Sequence, residues 1–181
     1  FERGTAWRAE YDDETDRRYH AEPVCCPACG PTLRLTDADG ETVLGEEIAG
    51  AAALLHGGQI VAIKGLGGYH LAADARSAQA VGSLRRRKHR EERPFAVMVA
   101  DLDSVRALCV LDSGSEQLLS GPERPIVLMT RRSGGSLAAA VAPGRSQLGV
   151  MLPYTLLHHL LLDAFGGPIL LTSGKRSDQP I

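Results

Sequence analysis

A dense cationic run passes straight into an apolar segment in Leu84-Arg85-Arg86-Arg87-Lys88-His89-Arg90-Glu91-Glu92-Arg93-Pro94-Phe95-Ala96-Val97-Met98-Val99. Five positive charges stand between Arg85 and Arg90, and like charges so close repel unless the fold or a ligand neutralises them. Pro94 then opens a strand too apolar to leave in water, so the charges are fixed beside the core. Guanidinium forks and an ammonium group at a helix end suit a polyphosphate. The plainer alternative is a solvated helix face.

The rest of the chain narrows the choice. With 181 residues it can bury one sizeable core and carry an appendage. Net charge is −2, so the basic run is local and not part of a generally basic surface. Aromatic residues make up only 4%, which argues against a base-stacking platform. No apolar run approaches the roughly 20 residues that span a bilayer, and no charged-then-apolar export signal opens the chain. Cysteines without an export signal point to metal before disulfide, and a cytoplasmic location is expected. Because the chain opens on Phe1 and closes on Ile181 just after a strand and turn, it reads as a piece of a longer protein.

Residues 1–42 form a segment of their own. Phe1 to Glu22 is polar, without a sustained period of two or 3.6. A knuckle follows at 23–31, then an alternating strand at 32–36 and a hairpin-type turn at 37–40. So small a unit needs a metal or a neighbouring domain. Residues 43–181 read as one layered α/β domain. Helices are expected at 48–56, 77–88, 102–111, 113–119 and 155–165. Strands are expected at 59–64, 95–100, 125–130, 149–152 and 169–172, with loops at 65–70 and 133–144.

Three motifs carry possible chemistry. Cys26-Pro27-Ala28-Cys29 has the bite of half a zinc site, with Cys25 and His20 as candidate further ligands. A metal-free knuckle held by Pro27 and Pro31 fits equally. Gly65-Leu66-Gly67-Gly68 follows a strand and could bring backbone N–H groups to a phosphate, but it lacks the Lys-Ser/Thr of a Walker loop, and a tight turn is the simpler reading. Ser173-Gly174-Lys175-Arg176-Ser177 emerges at a strand end, where ligands bind in open α/β sheets, though a surface turn would look the same. Of His158 and His159 on an apolar helix, one is expected to face the core. Cys109 reads as a small buried hydrophobe.

Together these pieces resemble one family. Ile63-Lys64-Gly65-Leu66-Gly67-Gly68-Tyr69-His70-Leu71, Arg87-Lys88-His89-Arg90 through Pro94-Phe95-Ala96-Val97-Met98-Val99, Leu152-Pro153-Tyr154-Thr155 through Leu161, and Thr172-Ser173-Gly174 through Ile181 look like the YrdC-like domain of HypF-type hydrogenase maturation carbamoyltransferases. Asp16-Arg17-Arg18-Tyr19-His20-Ala21-Glu22-Pro23 with Cys26 and Cys29 looks like the end of that family's second zinc finger. The resemblance implies a twisted mixed or parallel sheet with flanking helices, preceded by an incomplete finger. It implies ATP with Mg2+, carbamoyl phosphate as the carbamoyl source, and a carbamoyl-adenylate whose carbamoyl group passes to the C-terminal thiol of HypE.

On this resemblance Lys88 and Arg90 are the catalytic cations. Lys64, Gly67, Gly68, Tyr69, Arg87, Ser173, Lys175 and Ser177 bind nucleotide or substrate, and Cys26 and Cys29 hold zinc. Two departures stand out. The finger's other Cys-x-x-Cys pair falls on Gly4 and Trp7, and the wider family's Ser-x-Asn becomes Ser173-Gly174-Lys175. Two rivals are a threonylcarbamoyl-adenylate synthase and a double-stranded RNA-binding module. The first resembles Pro-Thr-x-Thr-x-Tyr-Gly-Leu where this chain has Lys64 to Leu71, and glycines in place of threonines remove hydroxyls that could hold a threonine.

Overall fold

The computed structural model describes residues 5–16, 19, 32–90 and 92–175. Two compact units divide the chain, Phe1–Glu47 and Ile48–Ile181.

In the first unit, helix α1 spans Thr5–Asp12, where the sequence showed no period, with an exposed Arg8–Asp12 ion pair at 4.0 Å. The strand expected at 32–36 shrinks to one antiparallel bridge between Thr36 and Thr42. Its turn is well made: Asp37 Oδ1 accepts from the amides of Asp39 and Glu41, and Gly40 takes a left-handed φ of 90°. Alternation alone does not build a ladder without a third strand or an apolar face to pack.

The second unit is a mixed sheet flanked by helices. Its elements are α2 (Glu47–His56), β1 (Val61–Gly65), β2 (Gly68–Asp74), α3 (Ala78–Lys88), β3 (Ala96–Met98), α4 (Leu102–Leu108), α5 (Ser113–Ser120), β4 (Val127–Thr130), a 3-10 turn (Ala139–Val141), β5 (Gln147–Met151), α6 (Leu156–Phe165) and β6 (Ile169–Ser173). Strand order is β1-β2-β6-β3-β5-β4, and only β3–β5 is a parallel pair. Four helices begin on a side-chain cap: Ser77, Asp101, Asp112 and Thr155 each accept from the amide three residues on.

Three sequence expectations need correction here. The loop expected at 65–70 is a two-residue hairpin whose return arm is β2, so a whole strand went unread. Its Gly-Tyr-His-Leu-Ala-Ala-Asp sequence carries the small residues that ordinarily weaken a strand, and pairing on both sides overrides that propensity. Helix α4 stops at Leu108, because Cys109 turns extended and bridges to Arg131. The loop expected at 133–144 contains the 3-10 turn.

Strand alternation sorts the core onto two faces. On one, Ala73, Val97, Val99, Val127, Met129, Leu148, Val150 and Leu170 pack against Val81 and Leu84 of α3, Val105 of α4, Leu119 of α5 and Val141. Buried Cys109 belongs to this cluster, and burial pushes its thiol pKa up. The other face carries Val61, Ile63, Ala72, Met98, Ile169 and Leu171, with buried Leu55 of α2 and Leu161, Leu162 and Phe165 of α6. Here the cover is partial. Toward β4 it ends, and Ile126 and Leu128 stand 55% and 63% exposed. No helix among the described residues is long and apolar enough to cross a membrane.

Candidate active site

The uncovered part of the second face is a cavity of about 480 Å3. Register explains its hollow floor. Leu128 pairs with Gly149, Gly149 with Ala96, and Ala96 with Leu171, so one row across the sheet has two small residues at its centre. A Cβ at Gly149 would lie 3.0 Å from Ile126 Cγ2 and tighten the wall. Around this floor stand His70, Arg90, Phe95, Arg124, Tyr154, Thr172 and Ser173.

The cationic run resolves into residues with different fates. Helix α3 ends on His89 in the left-handed region, φ 47°, which turns the chain so that Lys88 and Arg90 both reach β6. Arg90 lies with its guanidinium carbon 4.9 Å from the Phe95 ring centroid. It donates to Pro94 O at 2.7 Å and to Thr172 Oγ1 at 3.3 Å, while its buried Nε has no partner among the described residues. Lys88, 8% exposed, donates to the carbonyls of Ser173, at 3.0 Å, and Lys175. It thereby ties the turn after β6 to the end of α3. Burial first, then the neighbouring Arg90 charge, lowers the Lys88 pKa; burial, then Arg93, lowers that of Arg90.

Arg85 is a structural clamp, donating to the carbonyls of Arg90, Arg93, Ala140 and Val141 and lying 4.7 Å from the Phe95 centroid. Arg86 and Arg87 are exposed on α3, and neither lines the cavity. The run is therefore no continuous basic surface.

Of the other sequence candidates, Ser173 lines the cavity. Gly67, Gly68 and Tyr69 sit in the β1–β2 hairpin, with Lys64 exposed opposite Tyr69. That hairpin adjoins the Ser173 turn through Gly174 N–H donating to Tyr69 O at 2.6 Å, but these four residues do not line the cavity. A Cβ at Gly174 would meet that same carbonyl at 2.9 Å, so the close approach needs glycine. Lys175 is exposed, and its backbone carbonyl is the part engaged at the site. Ser177, Cys26, Cys29, Cys25 and His20 lie outside the described residues.

Among the residues at the cavity that were missed as site residues are His70, Arg124 and Tyr154. Strand β2 brings His70 in. Tyr154 stands in the Pro153-Tyr154-Thr155 lead into α6. Nothing in the sequence marks Arg124, which takes a φ of 46° and donates to Leu119 O. Behind Tyr154, ring to ring at 4.5 Å, lies His158, only 2% exposed and with neither ring nitrogen paired among the described residues. Burial, with His70 and His159 adding, pushes its pKa down to about 4. His159 faces outward.

Comparison with known proteins agrees with this architecture. Residues 53–181 match the Sua5–YciO–YrdC family model, described as telomere recombination, and residues 8–36 match the HypF finger. The chain is 53% identical to carbamoyltransferase HypF of Rhodobacter capsulatus over 97% of its own length and 23% of that protein's. It superimposes on a crystal structure of full-length HypF in a phosphate- and nucleotide-bound form with a TM-score of 0.87 and 43% identity, covering 98% of this chain and 23% of that one. A more distant relative is the threonylcarbamoyl-AMP synthase of Bos taurus, 32% identical over 74% of this chain and 49% of that protein. The chain belongs to the Sua5–YciO–YrdC family, as a HypF-type member carrying the HypF finger ahead of its YrdC-like domain. It spans about a quarter of the length of the HypF proteins it matches.

Proposed function

We propose that this chain is the adenylate-forming part of a hydrogenase maturation carbamoyltransferase. The cavity on the open sheet face would bind ATP together with carbamate, the carboxylate that carbamoyl phosphate yields when its phosphate is lost to water. The observation that carries this reading is the half-buried guanidinium of Arg90 at the rim of a sheet-floored cavity, stacked on Phe95 with its Nε–H unpaired among the described residues. A nucleotide-bound relative with the same fold supports it.

A carbamate oxygen attacks the α-phosphorus of ATP, forming the new P–O bond. The bond to the bridging oxygen breaks, and its electron pair leaves with pyrophosphate. Charge grows on the leaving oxygens, and a cation already fixed in place stabilises it more than the ground state. Arg90 is held by Phe95, Pro94 and Thr172, so little reorganisation is needed. Lys88 acts beside it, anchoring the Ser173 turn and adding positive potential. Exposed Lys64 and Lys175, with Gly67, Gly68 and Tyr69, would serve the outer phosphates; Arg87, exposed on α3 and away from the cavity, takes no part in this reading. Mg2+ would accompany the nucleotide and neutralise phosphate charge. The carbamoyl group then goes to the thiol of HypE, a reaction set in the cytoplasm, where ATP is available.

In this reading residues 43–181 are the catalytic unit and 1–42 a finger remnant. Cys26 and Cys29 provide half of a four-thiolate set, and Gly4 and Trp7 offer no ligand where the other pair would stand. Cys25 and His20 are further donors this segment offers, and no step depends on zinc.

The test is mass spectrometry of the chain incubated with ATP, Mg2+ and ammonium carbamate. The expected products are carbamoyl-adenylate and pyrophosphate in equal amounts. ATP binding without either product would overturn the reading.

A further inference from the structure

One wall of the cavity carries more unpaired polar atoms than a packed protein ordinarily keeps. Nδ1 of His70 and both ring nitrogens of His158 are buried without a partner among the described residues. Their ring centroids are 6.5 Å apart, and the edge of His158 meets Tyr154. An unpaired buried nitrogen is unfavourable, so three behind one wall call for a reason beyond packing. An apolar side chain would fill the His158 position without that penalty.

The placement of His70 is itself specified. Its ring lies on the backbone of Gly65, where a Cβ would be 2.6 Å from both Nδ1 and Cε1. Gly65 pairs with Gly68 at the hairpin, and two positions along β2 the ring stands level with Ser173 across the sheet. Any side chain at 65 would drive the imidazole out of this place. With Nδ1 turned onto Gly65, Nε2 is the nitrogen left to meet a molecule in the cavity. Arg90 and Thr172, which the same cavity joins to His70, provide donors suited to a carboxylate or phosphate.

From this geometry we infer that His70, seated on Gly65 and backed by His158 and Tyr154, is the specificity-determining residue that reads the third substituent of the small carboxylate. The inference rests on the adenylate-forming reading and adds to it which residue selects the acyl group. The chemistry is a matter of donors. Carbamate, bicarbonate and acetate share a carboxylate and differ in carrying NH2, OH or CH3. An imidazole lone pair accepts from NH2 or OH and gains nothing from CH3. The cost of leaving a polar atom unpaired against the methyl is what produces discrimination. His158, neutral and buried, keeps the back of the subsite free of a second positive charge, so the carboxylate is drawn to Arg90 and not to the wall that reads its substituent.

The test is ATP–pyrophosphate exchange by the full chain, driven by ammonium carbamate or by sodium acetate at matched ionic strength. The original chain is expected to prefer carbamate by roughly tenfold in kcat/KM, the worth of one hydrogen bond lost against a group that cannot donate. His70→Ala is expected to bring the ratio near one, mainly through a higher KM for carbamate. His70→Gln, which restores an acceptor, is expected to recover part of it, and Gly65→Ala to imitate His70→Ala by displacing the ring. Exchange with an unchanged carbamate-to-acetate ratio in both His70→Ala and Gly65→Ala would overturn the His70 assignment alone. No exchange with either carboxylate in the original chain, while ATP still binds, would overturn the adenylate reading and the assignment with it.

Discussion

The two faces of one sheet differ in what their residues have been selected to do. On the face under α3, α4 and α5, side chains meet side chains: Val97, Val150, Leu170 and Leu84 are fully buried, and none of that cluster is charged. On the opposite face α2 and α6 cover the β1–β2–β6 side, and beyond them the sheet opens onto His70, Arg90, Gly149 and Leu128. Every sheet atom is shared between the two. The packed face can therefore hold the open one rigid while the open one keeps unpaired nitrogens and exposed leucines. Stability resides on one side and the candidate site on the other.

The sharpest test of that division is a pair of truncations. Leu84→Ala on the packed face should destabilise the chain by about 3 kcal/mol, the usual range for a fully buried leucine. Leu128→Ala, 63% exposed on the open face, should change stability by less than about 0.5 kcal/mol. Urea unfolding measures both, and equal losses would mean the open face is packed by something in solution.

Next comes a contrast within the cationic run. Arg90→Ala should weaken ATP binding by about 2 kcal/mol, as expected when a charge-assisted contact is lost. Arg87→Ala, exposed and away from the cavity, should leave the affinity within about twofold. Calorimetric titration of each separates them, and matching losses would show that the run acts as a diffuse field and not through one fixed guanidinium.

That contrast also marks how far the sequence could be read. Its run of charge beside an apolar strand pointed to the candidate cavity, because Arg90 and Phe95 are only five residues apart and local spacing decides their meeting. The alternation of strands and helices foretold most of the second unit. What stayed hidden depended on pairing between distant segments. β2 has a weak strand sequence, and it exists because β1 and β6 flank it. Without β2, His70 had no place at the cavity. The separate fates of Arg85, Lys88 and Arg90 depended on carbonyls at 140–141 and 173–175, which no local pattern reveals. The resemblance gave Arg87, Lys88 and Arg90 ligand roles, whereas in the fold Arg85, Lys88 and Arg90 each donate to backbone carbonyls.

A third test uses the open face's buried histidine. His158 has a folded pKa of about 4 against an ordinary value near 6.5, so the unfolded chain takes up a proton that the folded chain refuses. Stability from this group is complete above pH 6.5 and falls as pH drops from 6.5 toward 4. Between pH 7 and pH 5 the loss should be about 1.5–2 kcal/mol by that linkage. His158→Phe should remove this part of the acid sensitivity while the slope due to carboxylates remains. If denaturation at the two pH values shows the same difference in both proteins, His158 is not held neutral by its surroundings.

The smallest effect lies at the joint between the faces. His89 caps α3 in a left-handed conformation, φ 47°, donating its backbone N–H to the carbonyls of Arg85 and Arg86. A residue with a Cβ is strained there by roughly 1–2 kcal/mol, whereas glycine adopts the region freely but loses roughly 0.5–1 kcal/mol more entropy on folding. The difference predicts that His89→Gly stabilises the chain by about 0.5 kcal/mol, read as a higher urea midpoint with an unchanged m-value. His89 is exposed and does not line the candidate cavity, so its own side chain is not expected to lose a contact with a nucleotide bound there. What the substitution changes is the stiffness of the link that fixes Arg90 relative to Lys88. A more stable chain with unchanged ATP affinity would mean that Phe95, Pro94 and Thr172 alone hold Arg90 in place. A more stable chain that binds ATP less tightly would mean that the strained turn helps aim the guanidinium, and that the division between a structural face and a chemical one does not extend to the residue that joins them.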